Sequence, residues 1–281
     1  MKTTNEQLID VFKETLDCIK VGGYESPSGN WIELTNPLQG TKFYLTLPTL
    51  KEKSEKQFNS TKIYVENIDT FQKAQKMGSD CAVLNMASFV KPGGGVMNGS
   101  RAQEEDLCRR SNLVQSLFAY GESECKELGY KPPKRLHYPL PLYGGIYSPN
   151  VMVFRSAQSY NFMDNPFTCS VISVAGVRRP ELDKKTGMMV EKAAVMMKGK
   201  IRAILRIAIL EGHSKLVLGA LSCGAYSAPA KHVSQLFREV LDEKEFQNVF
   251  EEICFAILED HNSIRNNNPG NVKPFKEVFP D

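Results

Sequence analysis

Apolar residues recur along this chain with two alternating periods. Leu8, Val11, Phe12, Leu16 and Ile19 share one stripe at helical spacing, and Gly22-Gly23 follows, so residues 5–20 predict a helix packed on the core. Short apolar runs at 31–35 and 42–47, separated by Asn36-Pro37 and Gly40, predict a hairpin. A polar loop at 51–60 precedes a strand at 62–66 and a short helix at 68–77. Residues 81–87 form a short apolar run, consistent with a buried strand. Pro92-Gly93-Gly94-Gly95 breaks it, and Leu107, Val114, Leu117 and Phe118 then return to helical spacing. Residues 121–137 are charged, carry Pro132-Pro133 and predict an exposed excursion. A turn-rich segment, 143–149, leads into a strand at 151–154, and 169–175 is a further buried strand. Residues 188–210 predict the longest helix, with Val190, Ala193, Ala194, Met197, Ile201, Ile204 and Ala208 on one face and Gly212 at its end. A buried strand at 215–221, a helix at 231–242, a strand at 249–258 and a tail ending in an apolar segment at 275–279 complete the chain.

Strands that alternate with helices argue for an α/β fold, with helices covering both faces of a mixed, mostly parallel sheet. The loops around Gly93 and Gly224 each follow a buried strand and precede a helix. Both are therefore expected at the carboxyl ends of strands, as two lips of one cleft.

Composition narrows the function. The 281 residues are taken as one domain, with 1–60 as an accessory helix and hairpin packed on the core. A net charge of +3 gives no electrostatic case for a nucleic-acid or membrane partner, and no apolar run approaches a membrane span. The N-terminus lacks the apolar core of a secretory signal. Seven scattered cysteines without a CxxC read as free thiols in a reducing cytoplasm, and His137, His213, His232 and His261 form no ligand cluster. No metal and no cofactor is expected, and the chain is taken as a monomer.

The chemistry concentrates between residues 83 and 117. Three consecutive glycines let the backbone take positive φ and let a ligand approach the main chain, with N–H groups available to an anion. A triphosphate-binding loop would end in GKS or GKT, which is absent. Instead Gln103-Glu104-Glu105-Asp106 opens a helix. Acidic residues in a first turn commonly just complement the helix dipole. Two adjacent carboxylates beside a phosphate cradle also suit a substrate with both a diphosphate and a sugar, the carboxylates handling hydroxyls or a glycosidic oxygen.

The stretch from Pro92 to Ser111, with Gly93-Gly94-Gly95, a seven-residue spacer and Gln103-Glu104-Glu105, resembles the signature of the microbial-type poly(ADP-ribose) glycohydrolases, a branch of the macrodomain superfamily. The likeness extends to residues 219–226, which resemble that family's diphosphate-binding loop, although Ser222 stands where the family usually has Gly and Tyr226 where it often has Phe. Ser222 leaves that loop less free to take positive φ. Weaker likeness covers 85–88, including Ser88. The resemblance implies a three-layer macrodomain-like sandwich carrying an N-terminal helical and hairpin extension. It implies hydrolysis of the ribose–ribose O-glycosidic bonds of poly(ADP-ribose), or of ADP-ribosylated proteins, with ADP-ribose as product. Glu105 matches the catalytic acid, and Glu104 its neighbour that holds ribose hydroxyls. Gln103 would fix the loop and the sugar, and Tyr226 would lie near the terminal ribose. Gly93, Gly94 and Gly95, with Ser222, Cys223, Gly224 and Ala225, would line the diphosphate, and Gly94, Gly95, Gly224 and Ala225 would offer it N–H groups.

Three other readings compete. A macrodomain can bind ADP-ribose without cutting, although binding alone needs neither Glu104 nor Glu105. A mono-ADP-ribosyl-protein hydrolase would use the same cleft. Cys223 could instead be a nucleophile with His232 as base, but the G-x-S/C-x-G elbow spacing is not met, and an inert buried thiol is the simpler account.

Overall fold

A capping box starts the first helix, α1 (Asn5–Val21): the Thr4 hydroxyl accepts from Gln7 N–H while the Gln7 side chain accepts from Thr4 N–H. Gly22, at φ +82°, ends it in the left-handed conformation glycine tolerates best. The computed structural model describes residues 4–50, 57–259 and 270–280. Most of the polar loop expected at 51–60 lies outside them, as do His261 and residues 266–269. Leu8, Phe12, Leu16 and Ile19 are buried beneath α1. At about 1.5–3 kcal/mol per apolar side chain, they tie the helix firmly to the rest.

The hairpin forms elsewhere than expected. β1 (Gly23–Glu25) pairs antiparallel with β2 (Trp31–Glu33), closed by the turn in which Ser26 N–H donates to Asn30 O at 2.8 Å. β3 (Lys42–Tyr44) leaves β2 and joins the edge of the main sheet instead. Strands this short carry too little alternation to reveal their partners.

The main sheet adds β4 (Lys62–Glu66), β5 (Ala82–Ala87), β6 (Gly145–Arg155), β7 (Phe162–Ala175), β8 (Lys215–Leu218) and β9 (Glu252–Ala256), in the order β3-β6-β7-β5-β8-β9-β4. From β7 to β4 every pairing is parallel, whereas β6 runs antiparallel to both its neighbours. The helices are α2 (Thr70–Met77), α3 (Gln103–Arg110), α4 (Val114–Phe118), α5 (Glu191–Leu210), α6 (Ala230–Leu241) and α7 (Val272–Val278). Alternation along β5 separates the layers. Ala82 and Leu84 join the core under α5, α6 and α7, while Val83 and Ala87 join the core under α1 to α4. This is the expected α/β sandwich. Among the described residues no helix is long and apolar enough to cross a membrane, and all seven cysteines are free and buried.

Two further boundaries differ from the pattern. The helical spacing after Glu105 is split: Ser111 turns extended between α3 and α4 and bridges antiparallel to Val153 of β6. β6 begins within the segment expected to be a turn. A Cβ at Gly144 would lie 1.9 Å from Tyr44 O, and one at Gly145 2.4 Å from Ser173 O. These glycines permit close strand approach and do not mark a turn. Within the excursion at 121–137, a short 3-10 helix (Glu124–Leu128) buries Cys125.

Candidate active site

The glycine loops leave the carboxyl ends of β5 and β8, which are neighbours in the sheet. A cavity of about 840 Å³ lies between them and is lined from Gly176, after β7, to Asp69 and Thr70, after β4. That path crosses five strand ends, roughly 19 Å at the usual spacing of parallel strands.

The first lip is built around two carboxylates. Glu104 and Glu105 sit in the first turn of α3 and are 3% and 7% exposed, so neither is a solvated acid that merely complements the helix dipole. Glu104 is clamped: Oε2 accepts from Ser88 N–H at 2.7 Å and Oε1 from Asn85 Nδ2 at 3.3 Å. Burial pushes its pKa up to about 8, against those hydrogen bonds and with help from the charge of Glu105. Glu105 is held on one side only. Its Oε1 accepts from Gly95 N–H at 2.8 Å, while its buried Oε2 has no partner among the described residues. Gly94 is what lets the carboxylates converge. It takes φ +58°, and a Cβ there would fall 2.5 Å from Glu105 Oε1 and 2.9 Å from Glu104 Oε2.

The surroundings fix this geometry. The Gln103 amide donates to Leu84 O and accepts from Met86 N–H, both at 2.8 Å, which staples α3 to β5, and Gln103 also lines the cavity. Arg109 is fully buried and donates to Leu8 O of α1 and to Ser100 O of the loop. The N-terminal helix thereby buttresses the glycine loop from behind.

The glycine loop itself offers few donors. Gly94 N–H bonds Lys91 O and Gly95 N–H bonds Glu105, so neither is free for an anion as expected; both are spent on shaping the loop. The second lip differs. The N–H groups of Gly224, Ala225 and Tyr226 have no partner among the described residues, and all three residues line the cavity. Successive free N–H groups form an anion-binding concavity. Ser222 takes positive φ, +69°, despite its side chain, and its buried Oγ is unpartnered. Tyr226 spans the lips, its hydroxyl accepting from Phe89 N–H at 3.3 Å.

Cys223 and His232 do not meet as nucleophile and base. The thiol donates to Leu221 O, and burial raises its pKa, which disfavours the thiolate. The His232 ring instead accepts from Met189 N–H. Among the described residues no His, Cys, Asp and Glu group could hold a metal ion.

Sequence reasoning named Ser88 and Gly95, covered Asn85 only within the likeness at 85–88 without giving it a role, and missed Gly176. Asn85 lies on β5 and orients Glu104 while also donating to Ser173 Oγ at 3.0 Å. Gly176 gives Ser222 its room, since a Cβ there would sit 1.9 Å from Ser222 Oγ. An Asn inside an otherwise apolar strand was the available signal for the first; Gly176 offered none.

Comparison with known proteins follows the same lines. Residues 12–156, just over half the chain, match the family described as the catalytic domain of microbial-type PARG. Among solved structures, the poly(ADP-ribose) glycohydrolase of Thermomonospora curvata bound to the inhibitor ADP-HPD superposes with a TM-score of 0.75 at 28% identity, over 98% of this chain and 100% of that one. The enzyme of Deinococcus radiodurans in complex with ADP-ribose gives 0.66 at 25% identity, over 89% and 99%. No curated protein matches the sequence.

Proposed function

The chain belongs to the microbial-type poly(ADP-ribose) glycohydrolases and is an enzyme of that class, and within that activity we propose that Glu105 is its general acid and base. The observation that carries this role is the asymmetry of the pair. Glu104 has both oxygens engaged by the protein, whereas Glu105 keeps a buried, unpartnered Oε2 beside the cavity. A proton on that oxygen has no acceptor in the described protein and is available to a substrate oxygen.

The substrate's diphosphate would rest on the N–H groups of Gly224, Ala225 and Tyr226, a reading supported by their lack of any partner among the described residues. The ribose beyond it would then meet Glu104, Glu105 and Tyr226. Glu105 Oε2–H donates its proton to the glycosidic oxygen as the C1–O bond breaks and oxocarbenium character develops on the ribose. The anionic diphosphate stabilises that cation. Water attacks C1, its proton passes to the Glu105 carboxylate, and the acid is restored. Gly95 N–H holds Oε1 in place throughout. Glu104 receives the ribose hydroxyls, which its remaining lone pairs can accept.

Two clustered carboxylates in a dry site repel each other, a cost that pure binding does not require. That favours catalysis over a binding-only module. The test is to incubate the purified protein with poly(ADP-ribose) and, separately, with a mono-ADP-ribosylated protein. Release of ADP-ribose from the polymer supports the reading. Release from the modified protein alone would replace it with a mono-ADP-ribosyl hydrolase.

A further inference from the structure

A second cavity, of about 760 Å³, opens on the far side of Tyr226 and shares Gly94, Gly176 and Ala225 with the first. Its lining is strongly cationic. Lys91, Arg178, Arg179, Lys192 and Lys200 face it, against the single carboxylate of Glu181. The side chains of Lys91, Arg178, Arg179 and Lys192 make no hydrogen bond or ion pair among the described residues. Lys200 is the unusual member. It is 2% exposed and meets no carboxylate, its ammonium donating only to Leu142 O at 2.9 Å. Burial without a counter-charge pulls its pKa down to about 8.

The backbone aims these groups. Arg179 takes φ +45°, a left-handed conformation that disfavours a side chain. It is pinned there by its N–H donating to Tyr226 O at 2.8 Å, so the arginine loop is tied to the catalytic lip. The first turn of α5, which has no side-chain cap, contributes Val190, Lys192 and Ala193 to the same lining. A buried ammonium short of an anion, four unpaired cations and a helix N-terminus all call for the same ligand chemistry.

We propose that this cavity binds the diphosphate of the neighbouring ADP-ribose unit, the one that departs with the glycosidic oxygen. The proposal rests on the Glu105 reading above. The glycosidic oxygen must reach Glu105, whose carboxylate abuts Gly94, and Gly94 lines both cavities. A polymer cut at that point lays one diphosphate on the Gly224 loop and leads the next past Tyr226 into the cationic pocket. The pocket therefore makes the enzyme prefer polymer over a single unit through binding, without touching the reacting atoms.

The experiment measures affinity in the Glu105→Gln background, so no turnover is needed. Arg178→Glu with Lys192→Glu reverses two exposed charges that no described residue pairs with, and Lys200→Met removes the buried one. Each should weaken binding of a short poly(ADP-ribose) chain about tenfold while leaving the Kd for monomeric ADP-ribose unchanged. With active enzyme, the same variants should raise KM for the polymer and leave kcat unchanged. They should spare hydrolysis of an ADP-ribose carrying an uncharged aryl group on its anomeric oxygen. Equal losses for polymer and monomer, or none for either, would overturn the proposal. Failure of wild-type enzyme to cleave polymer would instead strike the Glu105 reading, and the affinity comparison would still decide this one.

Discussion

Ser222 offers a sharp test of how the second lip is built. It occupies φ +69° with a buried, unpartnered hydroxyl. The left-handed conformation costs a non-glycine residue about 1–2 kcal/mol, and an unsatisfied buried hydroxyl about 1–3 kcal/mol. Ser222→Gly removes both penalties. Against this stand glycine's greater freedom in the unfolded chain, about 0.5–1 kcal/mol, and the loss of one packed methylene, about 0.8 kcal/mol. The net expectation is stabilisation of about 2 kcal/mol, read as a Tm rise of roughly 4–8 °C. Gly176 supplies the second arm. Its φ is not in the left-handed region, so alanine is barred only by the 1.9 Å approach to Ser222 Oγ and by Leu221 Cδ1 at 3.1 Å. Gly176→Ala should therefore cost about 1–3 kcal/mol in the wild type and far less beside Gly at 222. Denaturant unfolding of the two single variants, the double variant and the parent closes the cycle, with a coupling of about 1–2 kcal/mol expected. If Gly176→Ala costs the same in both backgrounds, or if Ser222→Gly destabilises, the account of this loop is wrong.

Gly94→Ala forces φ +58° on a side chain and drives its Cβ into both carboxylates. Displacing Glu105 by even part of an ångström should lower kcat by about 100-fold, and wild-type kcat in this variant would contradict the packing argument. Glu104 makes stability depend on pH. Its folded pKa, about 8, exceeds the ordinary carboxyl value, so its contribution is complete below about pH 4.5 and is lost as pH rises through 8. The full span is at most about 5 kcal/mol, and Glu104→Gln should flatten the stability–pH curve across that window; parallel curves for the two proteins would refute it. Cys223→Ser should leave turnover within about threefold of wild type, since surface-free thiols of raised pKa are inert, and an abolished rate would revive the nucleophile.

Much of the sandwich was legible because its strands and helices are long enough to show a period. The run at 81–87, the stripe at 188–210 and the loop that follows residue 218 all emerged within a few residues of their observed bounds. The site's two lips were legible for a different reason: triple glycine and paired glutamate are rare in so short a span. What stayed hidden was set by tertiary contact. The partner of β3, the break at Ser111 and the start of β6 at Gly145 depend on backbone approaches between residues far apart in sequence. Periodicity does not encode those. Nor did it reveal that the N–H groups of Gly94 and Gly95 serve the loop, while those of Gly224, Ala225 and Tyr226 are left for a ligand.

The central claim is that the unpartnered oxygen of Glu105 delivers the proton. A single-turnover assay of Glu105→Gln on poly(ADP-ribose), with ADP-ribose affinity measured on the same preparation, tests it most directly. The account predicts a rate loss of about 1,000-fold or more with a Kd within about threefold of wild type. Release of ADP-ribose at a rate within tenfold of wild type would contradict it and move the acid to another residue of the cleft.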